Sequence, residues 1–476
     1  MSLTRRQFLS HSLMITAGAS ISGCYSTSKK VNTAPKNPNI IYILADDLGY
    51  GDLGCYGQKQ IKTPNIDKMA AEGMKFTQHY AGSTVCAPSR CTLMTGLHTG
   101  HCRIKGNEAD STLFDTDVTV AEICKKAGYR TAAIGKWGLG EAGSPGIPNK
   151  QGFDYFYGYL NQVQAHNYYP EYLWENQKKD HLENIVERPD ISQYDQNDPG
   201  ALEYGHITSK FGGISTNKKE YSHDLFTEKA IEFIENSNEP FFLYLPYTIP
   251  HANNEFDKIG IEHGMEVPDN GMYSDKPWPN AQKSYAAMIS KLDSDVGRII
   301  ELLKEKNIEE NTLVIFASDN GPHTEGGSYP EFFNSNGSLR GMKRDLYEGG
   351  IRIPFIAYWP GKIESGTQSD HISAFWDFLP TVADITGQPI ESPTDGISML
   401  PTLLGQPEEQ KQHKYLYWQY KDKRAVRMNN WKAVKIAEQA SIELYDISKD
   451  ISELNDIASQ HPDICSNLKS LLATPY

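Results

Sequence analysis

The sequence predicts an α/β sandwich built on a large, mostly parallel sheet flanked by helices, with a small α+β region behind it. Three observations predict this. Short, unbroken apolar runs rich in β-branched residues recur as far as residue 358, the pattern of strands covered on both faces. Helical patterns lie between them, and strand–helix alternation folds as one sheet between two helical layers. From about Pro389 the texture changes to short or alternating runs with tight turns, which read as antiparallel strands.

Each element follows in chain order. Pro38-Asn39 opens the apolar run 40–45, which ends in Asp46-Asp47. A helical pattern over 118–127 precedes the run 131–135, and another over 221–234 precedes the run 241–245. The longest helical pattern covers 285–303, with Met288, Ile289, Leu292, Val296, Ile299 and Ile300 on one stripe, as a helix lying on a sheet requires. The runs 312–317 and 354–358 complete the set. Further on, 415–418, 424–427 and 431–435 read as antiparallel strands with Asn429-Asn430 as a turn, and 463–472 as a closing helix. The expected division is therefore a domain over 39–388 and an α+β subdomain over 389–476. The stretch 158–214 is polar, Tyr-rich and irregular; a loop so long is expected to be a binding insertion or a lid.

The N-terminus reads differently. Thr4-Arg5-Arg6-Gln7-Phe8-Leu9 resembles a twin-arginine export signal, and Ile21-Ser22-Gly23-Cys24 resembles a bacterial lipobox. The apolar stretch between them is too short and polar to span a bilayer. Residues 1–24 are thus expected to be a signal peptide and 25–38 a flexible tether. The expected location is periplasmic or cell-surface, with the membrane touched only through an N-terminal lipid. The formal net charge of −14 argues against a nucleic-acid partner, because no basic face is on offer. The seven cysteines match no zinc-finger spacing and imply no complete disulfide framework.

In sheets covered on both faces, ligands collect beyond the carboxyl ends of the strands. One strand ends in Asp46-Asp47 and a later one in Ser318-Asp319-Asn320-Gly321. Adjacent carboxylates repel unless a cation or strong donors are present. An all-oxygen set of this kind suits calcium or magnesium over zinc. Alone, an Asp-Asp pair reads as a turn or a helix cap.

The segment Cys86-Ala87-Pro88-Ser89-Arg90-Cys91-Thr92-Leu93-Met94-Thr95-Gly96 changes that weighting. It resembles the complete signature of the type I sulfatases of the alkaline phosphatase superfamily, in which C-x-P-S-R directs oxidation of the cysteine to formylglycine. The resemblance runs from Asn39 to the C-terminus. It implies an alkaline-phosphatase-like sandwich and a sulfuric ester hydrolase. It also implies Ca²⁺ held by Asp46, Asp47, Asp319, Asn320 and the modified Cys86. Gly135-Lys136-Trp137 matches the family's lysine motif, and Tyr247-Thr248-Ile249-Pro250-His251 its leaving-group histidine. The segment from Gly341 to Arg352 resembles the lysine segment around Lys343, and Glu443-Leu444-Tyr445-Asp446 the family's ending. By the same resemblance the formylglycine hydrate is the nucleophile, Lys136 and Lys343 bind sulfate, Arg90 holds the hydrate, and His251 protonates the leaving alcohol. A separate formylglycine-generating enzyme is implied as a maturation partner.

One position departs from the pattern. Many family members carry a histidine two residues after the lysine, where this chain has Gly138. That histidine is the family's candidate base for releasing the bound sulfate. His166 and His323 are the candidates to replace it or to bind substrate. Tyr168, Tyr169, Tyr172 and Trp174 are candidates to stack a sugar ring, and a sulfated saccharide of galactose or N-acetylgalactosamine type is the expected substrate. Two other readings are a phosphonate or phosphate ester hydrolase of the same superfamily and a non-catalytic glycan-binding lipoprotein.

Overall fold

The computed structural model describes residues 37–108 and 111–473. The expected signal peptide, Cys24 and nearly all of the tether lie outside the described residues. The apolar runs form a ten-stranded sheet. Its centre is the strand Asn39–Ala45, paired in parallel with Phe241–Pro246 on one side and Thr312–Ser318 on the other. Arg130–Lys136 and Tyr155–Tyr159 continue the parallel order. Phe355–Tyr358 and Tyr172–Glu175 add antiparallel margins.

Residues of the central strand alternate between two apolar layers. Ile41 and Ile43 face a core shared with the helices Ser222–Glu235 and Asn280–Glu305. Ile40, Tyr42 and Leu44 face a second core shared with Cys86–Thr95, Val120–Lys126 and Phe378–Thr386. Burial on both faces is why these strands carry no polar alternation. Among the described residues no helix is long and apolar enough to cross a membrane.

The C-terminal strands Leu416–Tyr420, Lys423–Met428, Trp431–Lys435 and Glu443–Asp446 form a four-stranded antiparallel sheet, with the helix Pro462–Ala473 packed on its strands. Its other face shares an apolar cluster with Tyr80 and Val85, just ahead of Cys86. Lys432 anchors that face, reaching Glu348 and Glu453 at 2.9 Å each, all three wholly buried. Removing one partner of a buried ion pair costs about 3–5 kcal/mol. Lys432→Met is expected to lose that much in denaturant unfolding.

The stretch 158–214 is not the structureless loop expected. It contains the strands Tyr172–Glu175 and Lys178–His181, and the helix Pro199–Phe211 capped by Asp198. Its polar pattern arises because much of this added layer faces solvent.

Candidate active site

The four central strands deliver their following residues to one edge of the sheet. Asp46 and Asp47 follow Asn39–Ala45, and Asp319 and Asn320 follow Thr312–Ser318. Lys136 ends Arg130–Lys136, and His251 lies just beyond Phe241–Pro246. Asp47 has φ +64°, a left-handed conformation rare for a side-chain-bearing residue. The turn lets neighbouring carboxylates address one centre. Opposite stands Cys86, first residue of a helix whose ten residues are all buried.

The contacts are dense. Lys136 Nζ donates to Asp46 Oδ2 at 2.7 Å, and the Cys86 thiol to Asp46 Oδ1 at 3.2 Å. Arg90 donates to Asp319 Oδ2 through Nε at 3.1 Å and Nη2 at 2.9 Å, and to the Lys136 carbonyl at 2.6 Å. Lys343 Nζ reaches Asp47 Oδ2 at 2.8 Å, Glu325 Oε2 at 2.9 Å and His251 Nε2 at 3.0 Å. Arg90 therefore orients the Cys86 helix against Asp319, while the two lysines flank the centre.

Electrostatics follow from burial. Burial opposes ionisation of Asp46, yet Lys136 and Arg90 hold its carboxyl far below the usual range. Burial, then the Asp46 charge, push Asp319 up to about 7. Burial, then Asp319 and Asp46, push the Cys86 thiol well above its usual range, so an unmodified thiol there stays protonated and is a poor nucleophile. Burial, then Lys343, lower His251 to about 3. Its Nδ1 donates to the Ala252 carbonyl at 2.6 Å, and its Nε2 accepts from Lys343. His251 is thus neutral.

A hard cation fits this donor set. Asp46, Asp47, Cys86 and His251 bring one ligand atom each within 4.8 Å of one another. Asn320 donates its amide to Asp47 Oδ1 at 2.7 Å, and its own Oδ1 is buried with no hydrogen-bond partner. An orphaned buried carbonyl oxygen beside Asp47, with the Asp46 and Asp319 carboxylates joined through Arg90, offers the oxygen donors calcium takes. A second cluster, His98, His101 and Asp395, is of another kind. Gly100 N–H donates to His98 Nδ1 at 3.1 Å, so His98 Nε2 carries the proton, 3.7 Å from Asp395 Oδ2, and has no lone pair for a metal.

Cys86, Lys136, His251 and Lys343 line a cavity of about 300 Å³. His166 also lines it, stacked on His251 at 5.0 Å between ring centroids, with Nδ1 3.2 Å from Glu255 Oε1. His323 does not line it. Its Nε2 donates to the Pro250 carbonyl and its Nδ1 accepts from Glu325 N, so both ring nitrogens serve the loop. The sugar-stacking expectation is corrected: none of the four aromatics lines the cavity. Tyr168 and Tyr169 are buried in the sheet core, and Tyr172 and Trp174 pack edge to face on a marginal strand. The aromatics that do line it are Tyr204 and Tyr420. Gln162, Asn254, Glu325 and Glu255 were missed; each is an ordinary polar loop residue until the fold brings the first two to the cavity and sets Glu325 against Lys343 and Glu255 against His166.

The sulfatase family profile matches residues 38–388. The chain belongs to the sulfatase family. It is a type I sulfatase of the alkaline phosphatase superfamily and a sulfuric ester hydrolase, as expected from the Cys86 segment. A second profile, the N-sulphoglucosamine sulphohydrolase C-terminal region, matches residues 341–474 of this sulfatase. It is similar to an N-acetylgalactosamine-6-O-sulfatase of Bacteroides thetaiotaomicron, with 30% identity over 95% of this chain and 96% of the relative. Human arylsulfatase A is 30% identical over 91% of this chain and 87% of its own. Among solved structures, Ps i-CgsB in complex with k-i-k-neocarrahexaose is 28% identical with a TM-score of 0.72, covering 92% of each chain. The sulfatase's sandwich with its small C-terminal antiparallel sheet is the fold these relatives share.

Proposed function

We propose that this sulfatase hydrolyses sulfate monoesters on a carbohydrate, using a formylglycine made from Cys86 and a calcium ion held by Asp46, Asp47, Asp319, Asn320 and the modified residue. The observation that carries the reading is the convergence of Cys86, two buried lysines and an all-oxygen donor set in one cavity. Once present, the calcium supplies positive charge against sulfate oxygens, and the hydrated aldehyde supplies a nucleophilic hydroxyl that can later release sulfate by re-forming the carbonyl.

The chain's own residues do the rest. Lys136 and Lys343 bind sulfate oxygens from opposite sides, and fixed cations there favour the transition state without reorganising. Arg90 keeps residue 86 against Asp319. His251 is the residue placed to pass a proton to the leaving alcohol; its ring is neutral before substrate binds and takes that proton from solvent once the sulfate's negative charge stands beside Nε2. His166, its Nδ1 held by Glu255, offers Nε2 where Gly138 offers nothing.

Maturation by a separate formylglycine-generating enzyme belongs to this proposal, as do the division into 39–388 and 389–476 and the export and lipidation of Cys24. The carbohydrate reading is supported by a relative whose name specifies an N-acetylgalactosamine-6-O-sulfatase and by a similar structure in complex with k-i-k-neocarrahexaose. Matured protein is expected to turn over 4-nitrophenyl sulfate at least about 100-fold faster than 4-nitrophenyl phosphate or a phenylphosphonate ester, a gap of roughly 2.7 kcal/mol. The reverse order would assign it to phosphorus esters.

A further inference from the structure

Gly138 has φ +72°, and a Cβ added there would stand 2.0 Å from the amide nitrogen of Gln162. The glycine is required by its backbone conformation, and a side chain there would displace the Gln162 amide that fills the space beside it. A side chain at 138 and Gln162 in its present place exclude each other. Gln162 lines the cavity that holds Cys86 and the lysines, and its Nε2 is buried without a hydrogen-bond partner. Asn254, three residues past His251, lines the same cavity, and its Oδ1 is likewise buried and unpartnered.

Unsatisfied buried amide atoms are costly unless a ligand completes them. One of these atoms is a donor and the other an acceptor. Between them they match neutral polar substrate groups, one that accepts a hydrogen bond and one that gives one. The surrounding charges agree. Glu108 and Glu141 line the cavity, and the positive charge of Arg344, also at the lining, is paired with Glu325. Beyond the sulfate-binding lysines the cavity thus favours neutral polar groups over a second anion.

Resting on the sulfatase reading above, we propose that Gln162 and Asn254 are specificity-determining residues that recognise a hydroxyl or acetamido group near the sulfate ester of a singly charged sugar. A bare aryl sulfate has no such group. The ratio of kcat/KM for a sugar sulfate to that for an aryl sulfate therefore reports these contacts and cancels damage to the sulfate centre or the fold.

The test uses matured full-length protein, its Gln162→Met and Asn254→Leu variants, and three substrates: galactose 6-sulfate, N-acetylgalactosamine 6-sulfate and 4-nitrophenyl sulfate. Each variant is expected to lower the sugar-to-aryl ratio about tenfold, as loss of one hydrogen bond to a neutral group does, mainly through KM for the sugar. A loss confined to the acetamido sugar identifies that group; an equal loss on both sugars identifies a hydroxyl. A ratio unchanged in both variants overturns the proposal. So does wild-type protein that cleaves the aryl sulfate but neither cleaves nor is competitively inhibited by either sugar, a result that leaves the sulfatase reading standing. Matured wild type that cleaves no sulfate ester at all overturns the reading and this proposal with it.

Discussion

Cys86→Ala is expected to lower kcat by about 10⁴-fold or more, the scale on which removing a covalent nucleophile acts, while leaving the thermal midpoint within about 4 °C. The two halves of this expectation have different causes. The side chain is small and buried at the start of its helix, so truncation leaves little cavity. The lysines, Arg90 and the carboxylates keep their mutual contacts without it, because their ion pairs bypass residue 86. Only the nucleophile is lost. Turnover of 4-nitrophenyl sulfate by both proteins, together with their melting curves, checks it. A variant retaining more than about a hundredth of the activity would show that catalysis does not pass through residue 86.

Lys343→Met is expected to damage both activity and stability. Lys343 bridges Asp47 and Glu325 and donates to His251. Losing one preorganised cation against sulfate costs about 10²–10³-fold in kcat/KM. Stripping the lysine from buried Asp47 and half-buried Glu325 costs about 3–5 kcal/mol in unfolding. Calcium offsets part of the second loss by neutralising Asp47, and a ligand that binds the folded state stabilises it by mass action. The variant's melting temperature is thus expected to rise more with calcium than wild type's does, while its turnover stays low. Recovery of turnover by calcium alone would remove Lys343 from the sulfate contacts and leave it a structural counter-charge.

Much of this was legible in the sequence because burial on both faces writes itself as unbroken apolar runs. The runs ending at Asp46, Lys136 and Asp319 are the central parallel strands, and their ends are where the site stands. The Cys86 segment carried the family. What was not legible depends on distance in space. Glu325 is a loop acid until Lys343, eighteen residues on, lies against it. Gln162 looks like filler until Gly138 shows that its amide occupies the neighbouring space. The aromatics at 168–174 looked like a sugar platform, but the layer over the sheet needed them as packing. His251 was legible as a residue and not as a charge state, since its neutrality comes from burial and from Lys343.

The central claim is that residue 86 works as formylglycine. The most direct test is the mass of the tryptic peptide containing Cys86 from active protein made in its native host. Conversion of thiol to aldehyde lowers that mass by about 18 Da, as replacing the thiol sulfur by a carbonyl oxygen with loss of two hydrogens requires, and this is the predicted result. An unmodified Cys86 in protein that turns over sulfate esters would contradict the account.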